Sequence, residues 1–203
     1  MPAGNGSGAS LTSKPKTMAY ATSEIALGTQ APDFALLDTV SGKLFSLRDV
    51  ASNKATVIMF TCNHCPYVLH ILDKVVEIAK EYQQKGISFV AISANDATLQ
   101  PQDGPEEMRI LAQERGFTFP YLYDQTQQVA RTYQAVCTPE FFVFDANKRL
   151  AYHGQFDNSR PKSETPVTGE DLTGALDTLL QGQQPSEDQQ PAVGCGIKWK
   201  YPY

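Results

Sequence analysis

The sequence predicts an α/β fold, a sheet of buried strands covered by helices. Two short apolar runs rich in β-branched residues, "ATVIMF" (Ala55–Phe60) and "ISFVAIS" (87–93), have the composition of strands buried on both faces. The segment between them, 66–85, repeats Val68, Leu69, Leu72, Val75, Val76 and Ala79 at spacings of three and four, which lines one side of a helix with apolar groups. Strand and helix patterns keep alternating as far as residue 182, and such alternation implies βαβ units.

A chain of 203 residues buries one good core, so one domain with tails is expected. Residues 1–23, rich in Gly, Ser and Thr and without an acid, are expected to form a disordered leader ahead of a domain over 24–182. "LGTQAPDFALLDTVSGKLFSLRDV" alternates short apolar pieces with turn residues, Ser41 and Gly42 among them, and predicts an N-terminal hairpin. Pro66 opens the first long helix and Gly86 stops it. "PEEMRILAQERG" (105–116) starts with Pro and two acids and ends on Gly, as a helix does. "FPYLYD" and "QTQQVARTYQ" repeat strand and helix, "EFFVFD" and "KRLAYHGQF" form a hairpin around Ala146 and Asn147, and "TGEDLTGALDTLLQG" (168–182) is a capped last helix. The tail, 183–203, begins polar and Pro-rich but ends with Cys195, the only Trp and two Tyr, so it is expected to dock on the domain.

Composition excludes several function classes. The net charge is −5 and Lys and Arg are scattered without a stripe, which leaves no electrostatic footprint for nucleic acid. No apolar run approaches the ~18–20 residues that cross a bilayer, so no membrane partner is expected. Four cysteines, at 62, 65, 137 and 195, are too few and too uneven for a disulfide scaffold. Without a secretory signal pattern, a reducing, cytoplasmic setting is the expectation, with organellar import through the leader as the alternative.

The chemistry concentrates in "FTCNHCPYV" (60–68). Two cysteines two residues apart, at a strand end and in the first turn of a helix, face unpaired N–H groups and a positive dipole end that favour a thiolate. The dipole contributes about 0.3–1 kcal/mol, up to ~2 when partly buried, or about one pKa unit. Further lowering has to come from direct hydrogen bonds and from His64, whose imidazolium would favour the thiolate. Cys62 is expected to be the accessible sulfur held by these amides. The competing readings are a pair of inert buried cysteines and half of a metal site, the latter without the second CxxC or HxxxH that structural zinc requires.

Together with "CTPEFFVFD" and "VGCGIKWK", this motif resembles the thioredoxin-like superfamily, in particular the redoxin (AhpC/TSA) group and its peroxiredoxin-like branch with a CxxC, over about residues 28–200. The resemblance implies a thioredoxin fold: a central mixed β-sheet flanked by α-helices, with an N-terminal hairpin and a docked C-terminal tail. It implies Cys62 as nucleophile, Cys65 as resolving partner and a cis-proline, Pro139, facing them, with the Thr138 backbone free to pair with an extended substrate segment. The implied activity is thiol-disulfide oxidoreduction on a protein or small-molecule disulfide or thiol, with no organic cofactor. A thiol peroxidase is the alternative, although peroxiredoxins carry Thr three residues before the peroxidatic cysteine, where this chain has Met59 before Cys62 and Cys62 before Cys65. A redox sensor or Cu(I)-binding module is the second alternative. "ATVIMF" also lacks the buried acid that thioredoxin carries there, which leaves His64 or water as proton acceptor. Cys137 and Cys195 are candidate auxiliary redox cysteines: Cys195 reaches the active-site face to bond Cys137 or to resolve Cys62, or both thiols are inert.

Overall fold

The computed structural model describes residues 25–200 and the backbone of 19–21; the expected leader over 1–18 lies outside the described residues. Strand β1 (Ala19–Ala21) is followed by a hairpin, β2 (Ala35–Asp38) and β3 (Leu44–Ser46), and by a short helix, α1 (Leu47–Val50). The core unit is β4 (Ala55–Phe60), α2 (Pro66–Gln84) and β5 (Ser88–Ser93). A 3-10 turn (Pro101–Asp103) leads into α3 (Pro105–Glu114), then β6 (Tyr121–Tyr123), α4 (Gln128–Thr132), β7 (Cys137–Thr138), β8 (Glu140–Asp145), β9 (Leu150–Gly154), α5 (Glu170–Leu180) and β10 (Val193–Gly196). Among the described residues no helix is long and apolar enough to cross a membrane.

Seven strands form a mixed sheet in the order β3-β2-β6-β5-β4-β8-β9, with β4, β5 and β6 parallel and the rest antiparallel. Because side chains alternate along a strand, β4 sends Val57 and Met59 into the core under α2 and α5, and Ile58 and Phe60 into a second core with Leu47, Tyr133 and Phe142. All six residues of β4 are buried, which is why its sequence is continuous rather than alternating. This arrangement sets the "CNHC" turn at the C-terminal end of a central strand, between two packed layers.

Pro66 stands in the first turn of α2, where its missing N–H costs nothing. The helix buries Val68, Ile71, Leu72, Val75, Val76, Ile78, Ala79 and Tyr82, each large apolar group contributing about 1.5–3 kcal/mol. Leu69, counted on the apolar stripe from spacing, points outward at 44% exposure, and Ile71 and Ile78 complete the face instead. At the start of the last helix the N-cap is Gly169, which has no side chain to offer; the Thr168 hydroxyl accepts the Glu170 N–H at 3.3 Å, and the buried Asp157 carboxylate accepts the Thr168 and Gly169 N–H groups at 2.8 and 2.7 Å.

A second, three-stranded sheet, β1-β10-β7, was not predicted. Tail strand β10 runs antiparallel between β1 and β7, with Cys195 opposite Ala19 on one side and Thr138 on the other. The end of the expected leader is therefore a strand: three residues without a hydrophobic pattern gain ladder hydrogen bonds from a partner more than 170 positions away.

Candidate active site

Strand β4 ends at Phe60, and Cys62 follows it with its residue wholly buried. The expectation of an accessible Cys62 sulfur is not met. Its Sγ lies 3.3 Å from the Thr138 hydroxyl, and the N-cap of α2 is Cys65. Cys65 is equally buried, and its thiol donates to the Thr138 carbonyl at 3.2 Å. The Thr138–Pro139 peptide is cis. Both CxxC sulfurs thus converge on one residue, Thr138, through its hydroxyl and its carbonyl.

The third sulfur here belongs to the tail. Cys195 Sγ sits 2.7 Å from Cys65 Sγ, and the three cysteines share a small apolar cluster with Val68 and Leu72. The ladder explains the contact. Cys195 pairs with Thr138, and paired residues point to the same face, toward the CxxC; Cys137, one position earlier, points to the other face. The register therefore turns Cys195 away from Cys137 and toward the CxxC, where its contact is Cys65, and the pairing of Cys195 with Cys137 is corrected on that ground. The Thr138 backbone is likewise not free for a substrate segment: β10 occupies that edge.

On the opposite flank stands a buried acid that the sequence reading missed. Asp103, at the end of the 3-10 turn, is fully buried and accepts the backbone N–H groups of Asn63 (2.7 Å) and His64 (3.2 Å), the His64 ring at Nδ1 (2.6 Å) and the Asn95 amide (2.8 Å). The imidazole of His64 is therefore held by a carboxylate instead of leaning on the thiol alone. Cys62, His64 and Asp103 each bring a ligand-type atom within 4.8 Å of the others. That is one donor short of a closed tetrahedral zinc site, and both Asp103 oxygens already have protein partners. The only advance signal for Asp103 was an acid directly before the Gly-Pro that opens α3.

The electrostatics follow from these contacts. The Cys62 thiol is pushed up, first by its hydrogen bond with Cys65, then by burial and by the negative charge of Asp103; the Thr138 hydroxyl opposes this. Cys65 is pulled down, first by the Cys195 thiol, then by the Cys62 thiol, with the Val68 and Cys195 backbone N–H groups adding to it against burial. The two shifts run in opposite directions because the sulfurs share hydrogen bonds, and the backbone N–H groups at the helix N-terminus and on the tail favour the anionic form at Cys65 over Cys62. Cys195 is raised first by its hydrogen bond with Cys65, and then by burial. Burial, followed by the charge of Glu140, pushes the Cys137 thiol far up. Glu140 itself accepts the Val136 and Cys137 N–H groups and pairs with His153 at 2.8 Å, a second buried acid that secures the turn before Pro139.

The AhpC/TSA family profile matches residues 27–153. The thiol-disulfide oxidoreductase ResA of Geobacillus thermodenitrificans is 26% identical over 126 residues, 62% of this chain and 67% of that protein. Among solved structures, an uncharacterized conserved protein from Geobacillus kaustophilus is similar at 49% identity and a TM-score of 0.90, over 93% of this chain and 100% of that one. A hypothetical protein from Sinorhizobium meliloti 1021 is similar at 41% identity and a TM-score of 0.87, over 90% of this chain and 99% of that one. The thioredoxin domain of a Bacteroides vulgatus oxidoreductase, 18% identical with a TM-score of 0.54, shares the fold over 64% of this chain and 89% of its own.

Proposed function

This chain belongs to the AhpC/TSA family, and from that premise we propose that it is a thiol-disulfide oxidoreductase working through a Cys62/Cys65 dithiol–disulfide couple. The observation that carries this reading is the convergence of both sulfurs on Thr138, one on its hydroxyl and one on its carbonyl, beside a His64–Asp103 pair. The reaction class of the 26% identical relative supports it.

Cys62, once deprotonated, attacks one sulfur of a substrate disulfide, and the other substrate sulfur leaves as a thiolate. Cys65 then attacks Cys62 Sγ in the mixed disulfide; the Cys62–Cys65 bond closes and the second substrate thiol departs. Two electrons pass from the dithiol to the substrate, and a dithiol donor restores the pair by the reverse exchange. The His64 ring, oriented by Asp103 and with a nitrogen within 4.8 Å of the Cys62 sulfur, is our candidate to take the Cys62 proton, in the role that an acid on β4 would otherwise fill. Because β10 covers the Thr138 edge, an extended protein substrate reaches the sulfurs after β10 shifts, whereas a small disulfide needs less room.

Redox titration of the full chain against glutathione buffers tests the couple. The expected result is one two-electron midpoint, absent in Cys62→Ser, together with turnover of insulin or scrambled disulfides. Rapid steady-state consumption of hydroperoxide with a thiol donor would transfer the reading to a thiol peroxidase. Stoichiometric copper retained through purification and lost in Cys62→Ser would transfer it to a metal-binding module.

A further inference from the structure

We propose that Cys195 is a third redox cysteine of this site, taking over the disulfide from Cys62 by exchange at Cys65, with strand β10 as its carrier. The proposal rests on the Cys62/Cys65 reading above. Its basis is distance: Cys65 and Cys195 sulfurs lie 2.7 Å apart, inside the ~3.5–4.0 Å at which non-bonded heavy atoms settle and within about 0.7 Å of the ~2.05 Å of a disulfide bond. Cys65 thus stands between two thiols that it hydrogen-bonds, Cys62 and Cys195, and either is a candidate partner for a disulfide.

The carrier is built for this position. A Cβ added at Gly194 would stand 2.0 Å from the Thr138 carbonyl oxygen, so only glycine lets β10 approach closely enough to deliver Cys195. Beyond Gly196 the tail is anchored: the Ile197 N–H donates to Val136 O, the Lys198 N–H to Asn95 Oδ1, the Gln127 amide to Lys198 O, and Trp199 lies under Arg131 at 4.5 Å. Such an anchor is far more than an inert thiol requires. Cys195 is also the least enclosed of the three sulfur-bearing residues, at 5% exposure against 0% for Cys62 and Cys65.

The exchange balances internally. In the oxidised protein the bond joins Cys62 and Cys65. Cys195 Sγ gives up its proton and attacks Cys65 Sγ; the Cys65–Cys195 bond forms, the Cys62–Cys65 bond breaks, and Cys62 leaves as a thiolate that takes up a proton. One disulfide exists before and after, so no oxidant or reductant is consumed. An external dithiol then attacks Cys195, the least enclosed of the three residues, and is itself oxidised as Cys65 and Cys195 return to thiols. Electrons enter at the tail while substrate is served at Cys62.

The test uses the full chain, oxidised with one equivalent of diamide, alkylated and mapped by peptide mass spectrometry. Of four cysteines, Cys62→Ser leaves three, and diamide is expected to take its free thiols from three to one with an intramolecular Cys65–Cys195 linked peptide. Wild type at equilibrium should show both the Cys62–Cys65 and Cys65–Cys195 linkages, and Cys195→Ala only the first. If wild type forms Cys62–Cys65 alone and Cys62→Ser forms no internal bond, the relay is overturned while the dithiol couple stands. If wild type forms no Cys62–Cys65 bond, the couple itself fails and the relay with it.

Discussion

The two flanks of the CxxC are opposites in chemistry and in origin. On one side, Asp103 and His64 lie about 40 positions from their partners in sequence order and form a closed network of charge-assisted hydrogen bonds. On the other, Cys195 comes from 130 positions away and presents sulfur in an apolar nest with Val68 and Leu72. The first flank has carboxylate and imidazole but no second nucleophile; the second has a nucleophile but no base of its own. In the proposed mechanism the dithiol between them exchanges protons on one side and electrons on the other. Asn95 joins the flanks: its amide N–H donates to Asp103, and its side-chain carbonyl oxygen accepts the Lys198 N–H. The acid and the tail are thus fixed by the same side chain.

Breaking the centre has the largest expected effect, because it disables both flanks together. Cys65→Ser should abolish turnover and leave Cys62 in a stable mixed disulfide with substrate, detected as added mass on the intact protein that dithiothreitol removes. Asp103→Asn comes next. It keeps the shape but turns one acceptor into a donor facing N–H groups, so unfolding in urea should show a loss of about 2–3 kcal/mol. Removing the negative charge should also move the Cys62 thiol down toward the ordinary thiol range, read from the pH dependence of thiolate absorbance, while turnover falls by about 10²-fold as the oriented base is lost. Unchanged thiol titration with lower activity would detach Asp103 from proton transfer.

Gly194→Ala probes the sulfur flank without touching a sulfur. The added methyl strikes Thr138 backbone, and β10 must lift. We expect a stability cost of about 1–3 kcal/mol and faster alkylation of Cys62 and Cys65, with the Cys65–Cys195 linked peptide lost from the diamide map. An alkylation rate equal to wild type would mean that β10 is not what seals the thiols.

How much of this was legible follows from the range of each interaction. The β4–α2–β5 unit was visible because its pattern is local: six buried residues in a row, then a helical stripe ended by Gly86. The CxxC was visible for the same reason. Asp103 was not, since an acid in a loop of Gln, Asp and Gly has the composition of a solvated turn, and only the fold brings the Asn63 and His64 amides onto it. The sulfur flank was half legible. Aromatic and cysteine content in the tail implied docking, but the choice of Cys65 over Cys137 depends on the register of a two-residue strand, and a shift of one position would reverse it.

Cys137 carries the smallest expected effect and the sharpest control. It sits next to Thr138 yet faces away from the sulfur line, with its N–H on Glu140 and its thiol raised by burial first. Cys137→Ala should leave turnover and the diamide map unchanged, at a stability cost of about 1 kcal/mol near neutral pH. Its signature lies at alkaline pH. The thiol's ordinary value is 9.0, and in the fold it is higher, so above pH 9 the unfolded chain releases this proton while the native chain keeps it. Stability then falls as pH rises, by up to about 1.4 kcal/mol per pH unit for one such thiol, and is fully present below the ordinary value. Urea unfolding between pH 8 and pH 10.5 should therefore show a shallower decline in Cys137→Ala than in wild type. An identical decline would mean that this thiol ionises in place, and a changed diamide map would put it back among the exchanging sulfurs.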